Sequence, residues 1–471
     1  MLAMNVVIFL TDQQRWDTIG ALGCPLELTP NFDHYAQRGT LFPYATTPQP
    51  VCGPARACLQ TGRYATAVGD DGCHTNGRPL PVDHDTLAKR FRDAGHATGY
   101  FGKWHLGGSP PGGSEAVAPD QHGGWETYLS ANALEACSDG YRTALFDPDG
   151  RVHHPPGYRV DAVTDAGIRF LHDAASHDRP FCCMISHLEP HMQNHRDAHP
   201  APAGYEARYR GRWTPPDLLA LPGQAGTYYQ DVLGGNAQQA LPGYLGSIKR
   251  LDEAFGRVMD TLISLGRLDD TVVVFTTDHG CHFRTRNDEY KRSVHDVSVR
   301  IPFMVHGGPF IGGGRDERPI QLTDLAPTLC DAAGFEPPAG AQGRSALGDL
   351  PDEAFIQVSE SGFSRAVRTD RWKYAASADP DGVSPFDRHA DRLVESHLYD
   401  LVADPYELVN LVGLEPYAAV RSGLKERLRR RMAEAGEPPC VIDDAPPPDL
   451  PVGQLAQRKV EPGDDRAPLT A

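Results

Sequence analysis

Two stretches of the chain share one hydrophobic pattern, an unbroken run of β-branched and other apolar residues that ends in polar ones. Asn5–Leu10 leads to Asp12, and Thr271–Phe275 leads to Asp278. A short run without polar alternation is typical of a strand covered on both faces. The pattern therefore predicts two buried strands, each followed by a carboxylate at the edge where open α/β sheets place their sites.

Helical and strand-like patterns alternate along the first three quarters of the chain. Amphipathic periodicity predicts helices, and short apolar runs between them predict further strands. Alternation of this kind indicates an α/β fold with a mainly parallel sheet between helices. The predicted helices are 85–94, 162–175 and 241–266, and the further strands are 98–101, 181–186 and 301–306.

A second, smaller domain is predicted near the carboxyl end. Strand-like pieces at 355–358, 364–368 and 372–375 precede a helical stretch at 417–435, as in an α+β unit with an antiparallel sheet. We therefore divide the chain into an N-terminal catalytic domain (1–348), a C-terminal α+β subdomain (349–440) and an extended tail rich in Pro and Asp (441–471). The segment 194–238 has no clear period and is expected to be a surface insertion beside the substrate.

Length, charge and cysteine content narrow the class of protein. A chain of 471 residues can bury a large core and still form a second domain. A formal charge of −17 argues against nucleic acid as a partner, so any anion site must be built locally from basic residues. No apolar run is long enough to span a membrane, and the first ten residues lack the pattern of a secretory signal. The ten cysteines are sparse for a chain of this length, and none forms a Cys-x-x-Cys pair of the kind found in zinc or redox sites. Because no export signal is seen, we expect a cytoplasmic protein without a membrane partner, and a homo-oligomer stays open.

Cys52-Gly53-Pro54-Ala55-Arg56 is a candidate nucleophile motif at the start of a helix. Pro54 suits the first helical turn, which places Cys52 where free N–H groups and the helix dipole favour a bound anion. A buried structural cysteine is the alternative. A cysteine phosphatase would need Arg six positions after Cys52, where this chain has Cys58, and no second Cys or His lies close by at zinc-ligand spacing.

With Thr61-Gly62-Arg63 following it, this motif resembles the signature of the type I sulfatases of the alkaline phosphatase superfamily. The resemblance covers most of the chain, because further landmarks of the family follow in the expected order. It implies an alkaline-phosphatase-like fold and a sulfuric ester hydrolase. It also implies that a separate maturation enzyme oxidises Cys52 to formylglycine, whose hydrate supplies the attacking oxygen.

The two strand ends supply candidate ligands for a divalent cation. Asp12 and Asp278 would bring oxygen donors together, although either carboxylate alone could cap a turn instead. By the resemblance, Asp12, Gln13, Asp278, His279 and the modified Cys52 would hold one metal ion. Many family members have Asp in place of Gln13 and Asn in place of His279, and the pair found here resembles the choline sulfatase and phosphonate hydrolase branches. We expect Ca²⁺, with Mn²⁺ as the alternative because the site carries less negative charge.

Four further residues complete the resemblance. Lys103-Trp104-His105 matches the family's Gly-Lys-x-His element, His191 follows Glu189-Pro190, and Lys291 lies thirteen residues after Asp278. The resemblance assigns roles to these four residues and to Arg56. Lys103 and Lys291 hold the sulfuryl oxygens, while Arg56 orients the nucleophile. His191, with Lys291, protonates the leaving group, and His105 then removes the proton that lets the sulfated hemiacetal at position 52 collapse.

Other polar residues lie near these motifs and belong to none of them. His187, His195 and His199 repeat every four residues with His191, but Pro190 argues against a continuous helix there. We expect these three histidines to be surface or substrate-loop residues. His282, Arg284 and Arg286 would either contact an acidic substrate or belong to a solvated loop.

Three alternatives concern the reaction and the substrate. Gln13, His279 and the position of Lys291 also fit a phosphonate monoester or phosphodiester hydrolase, whereas Lys103-x-His105 favours a sulfatase. A silent binding protein on the same scaffold is a third possibility, which the intact motif set argues against. The aromatic and basic residues of 194–238 favour a sulfated carbohydrate as substrate, with aryl and alkyl sulfates as alternatives.

Overall fold

A ten-stranded sheet forms the centre of the protein. The computed structural model describes residues 4–69, 78–108, 115–193, 198–223, 237–384 and 387–446. The strand order is β10-β2-β9-β8-β1-β7-β3-β4-β5-β6. The strands are β1 (Asn5–Asp12), β2 (Thr40–Leu41), β3 (Ala97–Lys103), β4 (Thr127–Ala131), β5 (Leu145–Phe146), β6 (Val152–His153), β7 (Phe181–Pro190), β8 (Thr271–Thr277), β9 (Phe303–His306) and β10 (Gly314–Arg315).

The two strands predicted from the unbroken apolar runs lie side by side. Val7 of β1 pairs with Val273 of β8 on one side and with Cys183 of β7 on the other, and both pairings are parallel. The strands β3 and β4 continue the parallel order beyond β7. The strand β9 runs antiparallel to β8, so the sheet is mixed but mainly parallel, as predicted.

Helices cover both faces of this sheet, and alternate residues of the central strands point to opposite faces. Ile8 packs in one core with α2, α4 and α11, and Phe9 packs in the other with α1, α6 and α9. None of the described helices is long and apolar enough to cross a membrane. The helices of this domain are α1 (Pro30–Ala36), α2 (Cys52–Thr61), α3 (Ala65–Val68), α4 (Leu87–Asp93), α5 (Leu134–Cys137), α6 (Arg159–Ser176), α7 (Tyr205–Tyr209), α8 (Pro216–Ala220), α9 (Ala237–Ser264), α10 (Asp296–Val299) and α11 (Leu322–Ala333).

A five-stranded sheet and one long helix form the smaller carboxyl-terminal unit, as predicted. Its first four strands are antiparallel, and α12 (Ala418–Glu434) packs on them. The three residues after the predicted boundary at 440 form the last strand and pair in parallel with the strand before it. The strands are β11 (Ala354–Val358), β12 (Ser364–Arg368), β13 (Trp372–Ser377), β14 (Arg392–Asp400) and β15 (Val441–Asp443).

Two predicted segments fall partly outside the described residues. The expected surface insertion includes α7 and α8, but 194–197 and 224–236 lie outside the description. Residues 447–471 of the expected tail lie outside it as well. The domain boundaries therefore stay predictions.

Candidate active site

The candidate site residues meet at the carboxyl edge of the large sheet. Asp12 and Lys103 are the last residues of β1 and β3, while His191 and Asp278 directly follow β7 and β8. Because these four strands are neighbours and parallel, their ends deliver the four side chains to one place.

Cys52 is the first residue of α2, and Gly62 ends that helix in the left-handed conformation with φ of 69°. The Cys52 Sγ atom lies 2.8 Å from Lys291 Nζ, 3.5 Å from Lys103 Nζ and 3.3 Å from His279 Nε2. Burial would raise the pKa of the Cys52 thiol, but the two ammonium groups and the imidazole outweigh it and hold that pKa well below its usual range. Two ammonium groups therefore lie beside position 52 and favour a negatively charged oxygen or sulfur there.

Four potential metal ligands converge on the same point. The ligand atoms of Asp12, Cys52, Asp278 and His279 all lie within 4.8 Å of one another. His279 Nδ1 lies 3.0 Å from the Gly280 carbonyl oxygen and donates to it, so Nε2, which lies 3.3 Å from Cys52 Sγ, is the ring nitrogen with a lone pair for a metal. Burial and the nearby charge of Asp12 raise the pKa of Asp278 to about 6. Two crowded, buried carboxylates and an oriented imidazole are a donor set that fits a divalent cation.

Gln13 lies beside this cluster in a left-handed backbone conformation with φ of 66°. Its backbone N–H donates to Asp278 Oδ1 at 3.1 Å, and Tyr244 donates to its carbonyl oxygen at 2.7 Å. Its side-chain Oε1 accepts a long hydrogen bond, 3.4 Å, from the Met192 N–H. The backbone of Gln13 thus orients Asp278, and its role as a metal ligand stays a prediction.

Arg56, one turn along α2, joins both carboxylates to the end of β3. Its Nη2 lies 3.0 Å from Asp12 Oδ2, and its Nε lies 3.1 Å from Asp278 Oδ2. Its Nη1 donates to the Lys103 carbonyl oxygen at 2.8 Å and to the Ser186 hydroxyl at 2.7 Å. Arg56 therefore fixes the candidate metal ligands relative to Lys103 and has few donors left for a substrate.

Lys103 is held between two carboxylates. Its Nζ lies 2.7 Å from Asp12 Oδ2 and 3.1 Å from Glu135 Oε1, and all three side chains are buried. His105 follows in a left-handed conformation with φ of 62°, and its Nδ1 lies 3.9 Å from the same Glu135 oxygen. The Lys-x-His element thus faces the nucleophile with an acidic residue behind it.

Lys291 contacts both Cys52 and His191. His191 Nδ1 donates to the Met192 carbonyl oxygen at 2.6 Å, so its Nε2 faces Lys291 Nζ at 3.2 Å. His282 Nε2 in turn donates to the Lys291 carbonyl oxygen at 2.8 Å. Arg286 binds the carbonyl oxygens of Tyr406 and Glu407 in the smaller unit. His282 and Arg286 therefore position the Lys291 loop, and Arg284 is buried against the Tyr290 ring.

The expectation that the spaced histidines are surface or substrate-loop residues is wrong for His187, whereas His199 lies in the predicted 194–238 insertion but is not on the surface. His187 is fully buried, with its ring 4.6 Å from that of Phe9, because it lies inside β7 and points into the core. His199 is buried against Tyr244, and its Nδ1 lies 2.7 Å from the Pro190 carbonyl oxygen. His195 lies outside the described residues.

Glu135 is a site residue that the sequence pattern did not reveal. It follows β4, whose residues alternate between exposed and buried positions and do not form an unbroken apolar run. The rule that led to Asp12 and Asp278, a polar residue directly after a strand, does not find Glu135, because Glu135 lies in α5, four residues after the end of β4.

Comparisons with known proteins agree with this geometry. The sulfatase family model matches residues 4–335, and a model described as N-sulphoglucosamine sulphohydrolase, C-terminal, matches residues 288–434. An ulvan-active sulfatase of Formosa agariphila is 29% identical over 92% of this chain and 82% of its own length. An N-acetylglucosamine-6-O-sulfatase of Bacteroides thetaiotaomicron is 25% identical over 90% of this chain and 85% of its own.

The fold is shared as well. The crystal structure of a putative sulfatase from Bacteroides fragilis superposes with a TM-score of 0.79 at 21% identity, covering 93% of this chain and 97% of that one. Both the mainly parallel large sheet and the smaller antiparallel sheet therefore belong to an alkaline-phosphatase-like fold. The family model spans most of the chain and includes every candidate site residue, so the protein belongs to the sulfatase family and is a sulfuric ester hydrolase.

Proposed function

We propose that the protein hydrolyses sulfate monoesters of carbohydrates, with the hydrate of a formylglycine at position 52 as nucleophile. One observation carries the proposal: two buried lysine ammonium groups lie 2.8 and 3.5 Å from Cys52 Sγ. A sulfuryl group placed for attack by this side chain would have its non-bridging oxygens beside both ammonium groups. The formylglycine itself would come from oxidation of Cys52 by a separate maturation enzyme.

In this proposal, Asp278 takes the proton of the attacking hydroxyl while Lys103 and Lys291 hold the sulfuryl oxygens. A divalent cation would supply positive charge beside these oxygens. Its ligands would be Asp12, Asp278, His279 and the modified residue 52, with Gln13 as a further candidate. Ca²⁺ is our first choice and Mn²⁺ the alternative. Arg56 fixes the nucleophile because it binds both carboxylates.

His191, with Lys291, protonates the departing alkoxide. The His191 Nδ1–H donates to the Met192 carbonyl oxygen, so Nε2 is the ring nitrogen that faces the site, 3.2 Å from the Lys291 ammonium that can pass it a proton. The second step uses His105, which removes the proton of the remaining hydroxyl at position 52. The hemiacetal then collapses, sulfate leaves with the electrons of the oxygen–carbon bond, and water rehydrates the aldehyde.

A carbohydrate substrate is supported by two relatives, one named an ulvan-active sulfatase and the other an N-acetylglucosamine-6-O-sulfatase. The experiment is a panel of sulfated mono- and disaccharides, aryl sulfates and choline sulfate, assayed for released sulfate. We expect one class of sulfated sugar to give the highest kcat/KM. An aryl or alkyl sulfate that exceeds every sugar by tenfold or more would contradict the carbohydrate assignment.

A phosphonate monoester or phosphodiester hydrolase is the second candidate, because Gln13 and His279 fit that branch. The Lys103-x-His105 element argues against it, because by the resemblance the phosphonate hydrolases have less basic groups in its place, and here the Lys103 ammonium lies 3.5 Å from Cys52 Sγ. Turnover of an aryl sulfate and of the matching aryl phosphonate monoester would separate the two functions. We expect the sulfate to be the better substrate, and the reverse order would favour the second candidate.

A further inference from the structure

We propose that Glu135 is a positioning residue that aims Lys103 and His105 at the nucleophile, an inference that rests on the proposed function. Glu135 lies in the short helix α5, outside every motif that identified the site. Its side chain is buried and contacts the Lys-x-His element directly. A charged group in this position needs an explanation, because burying a carboxylate is costly unless it is paired.

The first step of the argument is the balance of contacts around Lys103. Its ammonium lies 2.7 Å from Asp12 Oδ2 on one side and 3.1 Å from Glu135 Oε1 on the other. Asp12 alone would draw the ammonium towards the candidate metal ligands. With Glu135 opposite, the ammonium stays between the two carboxylates, 3.5 Å from Cys52 Sγ, where a sulfuryl oxygen would meet it.

The second step is that the segment carrying Glu135 runs alongside the segment carrying His105. The His105 N–H donates to the Asn132 carbonyl oxygen at 2.8 Å, and the Gly107 N–H donates to Asn132 Oδ1 at 2.9 Å. These bonds fix the His105 backbone in its left-handed conformation. Glu135 Oε1, 3.9 Å from His105 Nδ1, then faces one edge of the ring and leaves the other edge for position 52.

The third step is that Glu135 itself is held in place by buried polar groups. Gln193 Nε2 donates to the Glu135 carbonyl oxygen at 2.7 Å, and Arg159 Nη1 donates to Gln193 Oε1 at 3.2 Å. Arg159 also pairs with Glu189 at 2.9 Å, two residues before His191. The backbone of Glu135 is thus tied through Gln193 and Arg159 to the segment that carries His191, which fixes the point from which the carboxylate reaches Lys103.

The charge state of Glu135 agrees with this role. Burial would raise its pKa, but Lys103 and the two nearby histidines hold that pKa well below its usual range. A permanent negative charge beside a sulfate-binding lysine weakens attraction for the anion. That loss is understandable if the same charge keeps the ammonium correctly aimed.

The test compares Glu135→Gln, Glu135→Asp and Glu115→Gln in the matured, metal-loaded enzyme. Glu115 is a matched control, because its Oε2 accepts from the Ala133 N–H at 2.6 Å and so supports the same segment without being part of the proposed machinery. The substrates are aryl sulfates whose phenols differ in acidity. Melting temperatures are measured for each variant.

We expect Glu135→Gln to lower kcat/KM by on the order of 10- to 100-fold, because one charge-assisted hydrogen bond to Lys103 is weakened. The factor should be the same for every phenol, since Lys103 and His105 do not act on the leaving oxygen. His191→Ala should instead lose more activity as the phenol becomes less acidic. Glu135→Asp should fall between the parent and Glu135→Gln, and Glu115→Gln should stay near the parent.

Three results would overturn the inference while leaving the proposed function intact. The first is parental activity in Glu135→Gln, and the second is a loss that grows with weaker acidity of the phenol. The third is equal inactivity of Glu135→Gln and Glu135→Asp together with a large fall in melting temperature, which would indicate a purely structural role. Absence of sulfate ester hydrolysis in the parent enzyme would be a failure of the proposed function itself, and the inference would fall with it.

Discussion

Replacing Arg56 tests the electrostatic design of the site through stability as well as activity. The guanidinium is buried and makes four hydrogen bonds of 3.1 Å or less, two of them to the carboxylates of Asp12 and Asp278. Arg56→Ala would leave both carboxylates buried without this partner. Arg56→Lys keeps the charge but cannot bridge the two carboxylates, because a lysine lacks the planar fork.

The expected magnitude follows from these contacts. Removing one partner from a buried ion pair costs about 3–5 kcal/mol, so Arg56→Ala should lower the free energy of unfolding by that amount in metal-free protein. Arg56→Lys should lose less stability than Arg56→Ala. Both variants should lose on the order of 100-fold in kcat, because the carboxylates and position 52 shift relative to Lys103.

The assay is urea unfolding of chelator-treated protein, followed by tryptophan fluorescence. Arg210→Ala is the matched control, because Arg210 is 69% exposed and pairs across one helical turn with Glu206, so its loss should be within about 0.5 kcal/mol. Added metal ion should restore part of the stability of Arg56→Ala by neutralising the carboxylates. A loss for Arg56→Ala no larger than that of the control would refute the reasoning.

Three further predictions concern the backbone, the core and the metal. Gly102→Ala should destabilise the protein and displace Lys103, because a Cβ there would lie 1.9 Å from the Ser186 carbonyl oxygen. Gly95→Ala is the control: its Cβ meets no atom within 4 Å, so thermal unfolding should show a loss of only about 1–2 kcal/mol. His187→Leu should make stability less dependent on pH. Burial lowers the His187 pKa to about 3, so below pH 6.5 the unfolded parent binds a proton at this histidine that the folded parent does not bind. Between neutral pH and pH 5 the parent should therefore lose about 2 kcal/mol of stability that the variant keeps. Equal pH dependence of the two proteins in urea unfolding would contradict that assignment. Chelation should lower the melting temperature and stop aryl sulfate hydrolysis, and Ca²⁺ should restore both; restoration by Mn²⁺ alone would identify manganese instead.

Much of the large sheet was predictable because its central strands are covered on both faces. The unbroken apolar runs of β1 and β8 require helices on each side, and their ends then mark the site edge. The helix at Cys52 was predictable from local residues as well, since Pro54 lies in its first turn and Gly62 ends it.

Other features depend on contacts between distant parts of the chain and leave little mark on local sequence. The buried place of His187 results from its contact with Phe9 on the neighbouring strand, so its spacing from His191 was misleading. Glu135 acquires its place through Lys103, and the antiparallel direction of β9 is set by the pairing of Val274 with Val305. Periodicity reports burial along one element, but it does not report which elements become neighbours.

The central claim is that position 52 carries the nucleophile of sulfate ester hydrolysis, and one measurement addresses it most directly. Aryl sulfate turnover is compared between the parent, Cys52→Ala and Cys58→Ala, after mass spectrometry of the peptide that contains position 52. Cys58 is a matched control because it is buried in the same helix. The account predicts that the parent peptide has lost mass, because its Cys52 thiol has been converted to an aldehyde. It also predicts that Cys52→Ala folds but does not hydrolyse the aryl sulfate, whereas Cys58→Ala remains active. Substantial turnover by Cys52→Ala, or an active parent whose Cys52 is entirely unmodified, would contradict it.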